Sequence, residues 1–503
     1  MAGSVSKSRG WLPWAALACL VVPMFASYYF DDMFSSISYL FEDASLTVLG
    51  WGAADYGLYA GGYSVLCIFG GLVVGGILLD KWGVRVSGSV FVGMMVLGAG
   101  LVTWALLHGG ASSLTVAYVG VMLFGLGSEI AGTAVTRSIA RWFKDGGMAL
   151  AMGLQLAIAR LGTAVALVLS PRLVVQLSGH VYSLSETARP AVVGMGLMAL
   201  GLILWAVFVA LDARRFPRTP QQSEIAGDPV VTPHQSEIAG DPVVTPQQSE
   251  IAGDPVGPTP SSRATEDRTV TAGTDRPSDD AADLGEAPSD DEAFRFGDVL
   301  KVLGNKNFWL LGLLCVLFYS AIIAFKKFAG AILIPRFDIP ASAAGWMVSM
   351  LPFSTVVFAP LFGMMVDRFG KGTRWMMAGS ILALTAHLLL AFAPQGVPFW
   401  GYLAMILLGF GYALVPAALW PSVPKIVPDK VLGTTFALLF WVQNLGLLSF
   451  KMLSGYILEG NGGPVGVECM FVGLCVAAVI IALLFARTAS RQPQLRLDEP
   501  SRK

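Results

Sequence analysis

GGILLDKWGVR at residues 75–85 and FGMMVDRFGKG at residues 362–372 are two versions of one pattern. In register they pair Gly76 with Gly363, Asp80 with Asp367, Lys81 with Arg368 and Gly83 with Gly370, and each copy adds a further base, Arg85 or Lys371. Each copy closes a long apolar run, so both sit at a membrane surface. The residue types have a physical job there. Glycine lets the chain turn tightly, and the carboxylate can cap a neighbouring helix N-terminus or meet a basic residue across an interface. One corner used twice, at corresponding places in two halves, is the signature of parallel repeats.

The bulk composition agrees with a membrane-embedded chain. Of 503 residues, 55% are hydrophobic and only 13% charged, with a mean hydropathy of +0.65, where a soluble domain carries about a quarter charged residues. The 57 glycines suit helices that approach closely in lipid. At about 20 apolar residues per span, the sequence predicts an all-α integral membrane protein of twelve helices in two pseudo-symmetric bundles of six. The spans are placed at 11–40, 54–79, 87–107, 114–140, 148–175 and 191–211, then at 308–334, 343–366, 374–393, 397–423, 432–458 and 465–485. Residues 1–211 and 298–487 form the bundles, with a tail at 488–503. Between the bundles, 212–297 is rich in Pro, Ser, Thr and Asp and carries QSEIAGDPVVTP in tandem at a period of about 13, too short for a solenoid unit. It reads as a disordered linker, with a partner-binding tract as the alternative. The basic residues Lys81, Arg85, Arg141, Lys144, Arg214, Arg368, Lys371 and Lys425 all fall in one set of loops, which places both termini and the linker in the cytoplasm.

The first spans of the two halves align as well, Trp14 over Trp309 and Phe30 over Phe325, and the next positions carry opposite charges. Asp31 and Asp32 stand in one half where Lys326 and Lys327 stand in the other. If these spans face each other, the four charges form a gate on the non-cytoplasmic side. The alternative is a set of solvated groups at the mouth of a cavity.

Two further charges lie deeper. Glu129, in FGLGSE, and Arg160, in GLQLAIARLG, belong to successive spans joined by RWFKDGG. Each is about 15 residues from the turn, hence roughly 23 Å from it and at a shared depth. Charges at mid-bilayer cost several kcal/mol and mark a site or a pair. The two can receive the ammonium and carboxylate of a zwitterion, bridge each other, or alternate between the two.

The paired pattern resembles motif A of the major facilitator superfamily, with Gly76, Asp80, Lys81, Gly83 and Arg85 matched in one half and Gly363, Asp367, Arg368, Gly370 and Lys371 in the other. The resemblance implies that superfamily's fold and a role for these residues in conformational coupling. FGLGSE, RWFKD (141–145), GLQLAIARLG, ALWPSVPKIVP (418–428) and LGTTFALLFWVQNLGL (432–447) resemble one branch of it. That branch is the lysosomal dipeptide transporter group, and the likeness implies uniport of dipeptides, particularly cationic ones, with Glu129 and Arg160 engaging the peptide. Around them Gln155, Trp420, Gln443 and Asn444 are candidate substrate contacts, each with packing as the alternative. Tyr28, Tyr29, Tyr56, Tyr59 and Tyr63 read either as cavity lining or as interfacial aromatics, His387 as a packing histidine, and Lys451 as a gate or a snorkelling residue.

Other classes fit less well. A proton-coupled symporter of organic anions or amino acids is the alternative carrier, and a non-transporting sensor or scaffold the alternative outside transport. No cofactor or metal is expected, since the four histidines and five cysteines have no ligand spacing, and an enzyme is not expected. The net charge of -1 argues against nucleic acid. Expected partners are a small-molecule substrate and the bilayer; an accessory membrane subunit is compatible but not indicated. The branch's acidic dileucine sorting signal is missing, so a plasma or bacterial inner membrane is expected rather than a lysosomal one.

Overall fold

The computed structural model describes residues 11–144, 146–217, 300, 302–427 and 431–500. The tandem repeat and the rest of the linker beyond Pro217 lie outside the described residues. Twelve long elements carry the architecture: α1 (Leu12–Asp32), α2 (Ala53–Gly62), α3 (Leu72–His108), α4 (Ser113–Trp142), α5 (Met148–Leu173) and α6 (Leu184–Arg215), then α7 (Lys306–Phe337), α8 (Ala341–Phe369), α9 (Gly372–Phe392), α10 (Pro398–Leu419), α11 (Leu432–Glu459) and α12 (Gly463–Arg491). Among the described residues, eleven helical stretches are long and apolar enough to cross a membrane. One of them, Ala53–His108, is 56 residues long, far beyond the roughly 20 that one crossing needs. It holds two crossings and brings the total to twelve. The break between them falls at Gly83, whose φ of +74° only glycine adopts without strain, which is the tight turn that the paired pattern predicts.

Among the spans that differ from their sequence outlines, three change the reading of the chain. Span 1 is not one helix to residue 40: α1 stops at Asp32 and the chain continues as a 3₁₀ segment, Ser35–Phe41. The change falls directly after Asp31 and Asp32, which pair with Lys326 and Lys327 of α7. Span 2 is interrupted by a π-helical stretch, Cys67–Gly71, in which Gly70 has φ +90°. Span 6 runs on to Arg215, because Asp212 is buried at 3% exposure rather than opening the linker. Its carboxylate accepts from Arg85 Nε at 2.6 Å and Trp142 Nε1 at 2.8 Å. Asp212→Ala removes the buried carboxylate that Arg85 and Trp142 share, while Arg85 keeps its backbone carbonyl acceptors, so a loss of about 1.5–3 kcal/mol is expected, measurable as a fall in detergent unfolding temperature.

The two halves pack alike internally, α3 on α4 and α6 on one side, α9 on α10 and α12 on the other. Between halves, α2 lies on α11, its symmetry mate α5 lies on α8, and the Ser35–Phe41 segment lies against α7. These contacts reach backbone distance at the end away from the basic loops. A Cβ on Gly455 would stand 2.3 Å from the Ala53 carbonyl, one on Gly345 2.3 Å from the Leu167 carbonyl, and one on Gly330 2.5 Å from the Ser36 carbonyl. The protein is therefore closed at that end. Gly162 makes a similar approach inside one half, 2.2 Å from the Phe25 carbonyl. Gly162→Ala should destabilise by about 1–3 kcal/mol through overpacking. Gly455→Ala and Gly345→Ala should instead spread the halves, read as new thiol labelling of a Ser36→Cys reporter. Labelling unchanged in both would contradict the packing argument.

Candidate functional site

At the closed end, α1 and α7 present their charges to each other. Lys326 Nζ donates to Asp32 Oδ2 at 2.7 Å, and Lys327 Nζ donates to Asp31 Oδ2 at 2.6 Å and to Asp32 Oδ1 at 3.1 Å. Asp32 also accepts from Thr163 Oγ1 of α5 at 2.9 Å and from Ser35 Oγ at 3.1 Å. Asp32, Lys326 and Lys327 are 0–2% exposed, so the solvated-mouth alternative does not describe this conformation. Tyr56 covers the cluster, donating to the Lys327 carbonyl at 3.1 Å and stacking on Phe41 at 4.8 Å. Buried charges persist only where paired and hydrogen-bonded, and this network meets both conditions.

One level further in, Glu129 of α4 and Arg160 of α5 both lie near α1. Ser27 of α1 shares a hydrogen bond with Ser128, the neighbour of Glu129, while the next residue, Tyr28, presents its ring 5.7 Å from the Arg160 guanidinium. Consecutive α1 residues thus mark both, which puts the two charges at one depth. Both are buried, at 2% and 4% exposure. Glu129 Oε1 accepts from Tyr63 Oη at 3.0 Å. Arg160 donates to Tyr412 Oη at 3.1 Å, across to the other half. Behind Tyr412 stands an aromatic wall: Tyr319 meets it edge-on at 6.4 Å and accepts from Trp420 Nε1 at 3.0 Å, and Trp420 stacks on Phe440 at 5.1 Å. Trp420 opens a 3₁₀ turn, Trp420–Ser422, in which Pro421 follows it, and α10 ends there.

Gln443 and Asn444 are fully buried on α11. Gln443 Oε1 accepts from Cys315 Sγ at 3.2 Å and Asn444 Nδ2 donates to the Phe440 carbonyl at 3.1 Å. Gln443 Nε2 and Asn444 Oδ1 have no partner among the described residues, a cost that a bound polar solute would remove. Gln155, on α5, is buried as well. The five tyrosines at 28, 29, 56, 59 and 63 are all at most 7% exposed, so none is an interfacial anchor.

At the opposite end, Asp80 pairs with Arg137 of α4, within its own half rather than across the interface or on a helix end. Arg85 binds Asp212 and the Phe216 carbonyl. In the second copy, Gly370 has φ +64° and packs on the Asp498 carbonyl, while the Asp498 carboxylate accepts from Thr373 N at 2.9 Å. Gly76 and Gly363 have open space around them; Lys81, Arg368 and Lys371 are exposed and Asp367 half-buried. His387 is more than packing: its Nδ1 lies 2.8 Å from Glu468 Oε2, both fully buried. Glu468, alone in the apolar run of α12, was the signal for that pair. Tyr319, Tyr412 and Thr163 carried no signal, because only the fold brings them to Arg160 and Asp32.

Two like bundles of membrane-spanning helices, closed against each other at one end by ion pairs, define the two-bundle fold of a membrane transporter. The sequence signature of the Major Facilitator Superfamily matches residues 20–326 and 308–502, and the chain belongs to that family. Among curated proteins it is 26% identical over 492 residues to the lysosomal dipeptide transporter MFSD1 of Danio rerio, covering 95% of this chain and 87% of that protein. The Homo sapiens MFSD1 is 25% identical over 446 residues, covering 87% of this chain and 77% of its own. Solved structures share the fold at low identity. A mutant of the nucleoside transporter NupG superposes with a TM-score of 0.64 at 14% identity, covering 93% of this chain and 99% of its own. An auto-inhibited POT family peptide transporter does so at 0.59 and 13%, covering 95% and 97%.

Proposed function

We propose that the protein carries small zwitterionic dipeptides across its membrane by alternating access, as a uniporter. The observation that carries this reading is the pair of buried opposite charges at one level, Glu129 and Arg160, each held by a tyrosine hydroxyl. A dipeptide presents an ammonium and a carboxylate several ångströms apart. Glu129 takes the first, and the Arg160 guanidinium takes the second through its planar fork. Gln155, Trp420, Gln443 and Asn444 supply the surrounding polar and aromatic contacts. The similarity to MFSD1 over most of the chain supports the substrate class.

Asp31, Asp32, Lys326 and Lys327 act as the gate, and the paired motifs around Asp80 and Asp367 couple the bundles at the other face. In this reading the basic loops face the cytoplasm, which makes the conformation described closed to the outside, and the proposed membrane is the plasma or bacterial inner membrane. Net uptake of dipeptide down its gradient into weakly buffered liposomes, with internal pH followed by a trapped dye, checks the mechanism. A uniporter fills the liposomes without acidifying them; acidification in step with peptide entry would show a symporter instead.

A further inference from the structure

Lys451 belongs to the same layer as the peptide-binding pair but to the opposite half. It sits on α11 at 2% exposure, with its Nζ 5.5 Å from the centre of the Tyr63 ring and 3.3 Å from the Ala60 carbonyl. Tyr63 is the residue whose hydroxyl donates to Glu129. A cation on the face of a ring is held by the ring's quadrupole, and here the same ring carries a carboxylate at its hydroxyl end. Lys451 and Glu129 are thus one aromatic side chain apart. The α11 backbone is fixed at that spot, since a Cβ on Gly57 of α2 would meet the Lys451 carbonyl at 2.9 Å.

This changes the charge of the site. The gate residues balance, two carboxylates against two ammonium groups, and are engaged with one another. His387, Glu468 and Arg336 are bound among α7, α9 and α12 of one half. Among the described residues, the buried charges that remain in the central layer are Glu129 against Arg160 and Lys451, one carboxylate and two basic groups, a formal net of +1. We infer that Lys451 is a specificity-determining residue that makes this carrier favour dipeptides with acidic side chains and disfavour cationic ones. The inference rests on the reading of Glu129 and Arg160 as the peptide-binding pair. It runs against the expectation of cationic substrates that comes with the family resemblance, because a zwitterion leaves the site at +1, an acidic side chain neutralises it, and a basic one raises it to +2.

The test is competition for uptake of labelled Ala-Ala into liposomes by unlabelled Ala-Asp, Ala-Ala and Ala-Lys, with wild type, Lys451→Gln and Lys451→Arg. Wild type should rank them Ala-Asp, Ala-Ala, Ala-Lys. At an effective dielectric of about 20 and several ångströms of separation, one unit charge shifts affinity by on the order of tenfold or more. Lys451→Gln should collapse the spread between Ala-Asp and Ala-Lys while still carrying Ala-Ala, and Lys451→Arg should keep it. A wild-type preference for Ala-Lys overturns the inference whether or not the variants insert, and so does an unchanged spread in Lys451→Gln. Failure of the underlying reading looks different: Ala-Ala uptake would then persist in Glu129→Gln and Arg160→Ala.

Discussion

Arg160→Ala is expected to lose dipeptide uptake by about 10–100-fold or more in apparent affinity, the worth of one charge-assisted contact of about 1.5–3 kcal/mol and the loss of its positioning. Arg160 is 4% exposed and reaches Tyr412 in the other half while lying against Tyr28 of α1. The guanidinium of α5 therefore reaches two further helices, α1 and α10, at the level where the bundles meet. Arg160→Lys keeps the charge but not the planar fork, so it should recover only part of the loss. Glu129→Gln leaves the Tyr63 hydroxyl an acceptor and removes only the charge. It should weaken zwitterions while leaving an N-acylated dipeptide, which has no ammonium, nearly unaffected. The assay is initial-rate uptake into liposomes over a range of peptide concentrations. Full uptake in both Arg160→Ala and Glu129→Gln would remove these residues from the site.

The gate supplies the second large effect. Lys326→Ala leaves Asp32, at 0% exposure, short of one ammonium partner, and breaking a buried ion pair from one side costs about 3–5 kcal/mol. That is enough to move a two-state equilibrium from mostly closed to mostly open at this end. A Ser36→Cys reporter, buried beneath the gate, should become open to a membrane-impermeant thiol reagent in Lys326→Ala and in Asp32→Ala. The exchange of all four charges, Asp31→Lys and Asp32→Lys with Lys326→Asp and Lys327→Asp, should restore both protection and transport. Thr163 and Ser35 can follow the exchange, because a hydroxyl that donates to a carboxylate can turn to accept from an ammonium. A fourfold variant as leaky as the single ones would mean that the charges act separately.

Most of the fold was written in local terms. Apolar run lengths gave the crossings, and the repeat of Gly76, Asp80 and Gly83 at Gly363, Asp367 and Gly370 gave the two bundles, since a tight turn needs glycine wherever it occurs. Asp31, Asp32, Lys326 and Lys327 were readable as a facing set because opposite charges stood at aligned positions. Asp80 was half-readable: its need for a partner was plain, but Arg137 of the same half was one of several bases in reach. The end of α1 at Asp32 was not readable at all, as residues 33–41 continue the apolar run, and the ion pairs that coincide with it come from α7, far away in sequence.

The sequence by itself determined that this chain crosses the membrane in two like sets of six, and that Glu129 and Arg160 lie at one depth. Both follow from run length and helical rise, which are properties of contiguous residues. Only the tertiary structure decided what those charges touch. Tyr63 reaches Glu129 and Tyr412 reaches Arg160, the second from the other bundle, and Lys451, also of the other bundle, lies on the Tyr63 ring. A charge in a low-dielectric interior is governed by whatever lies within a few ångströms, and for helices that cross a membrane those neighbours are far away in sequence.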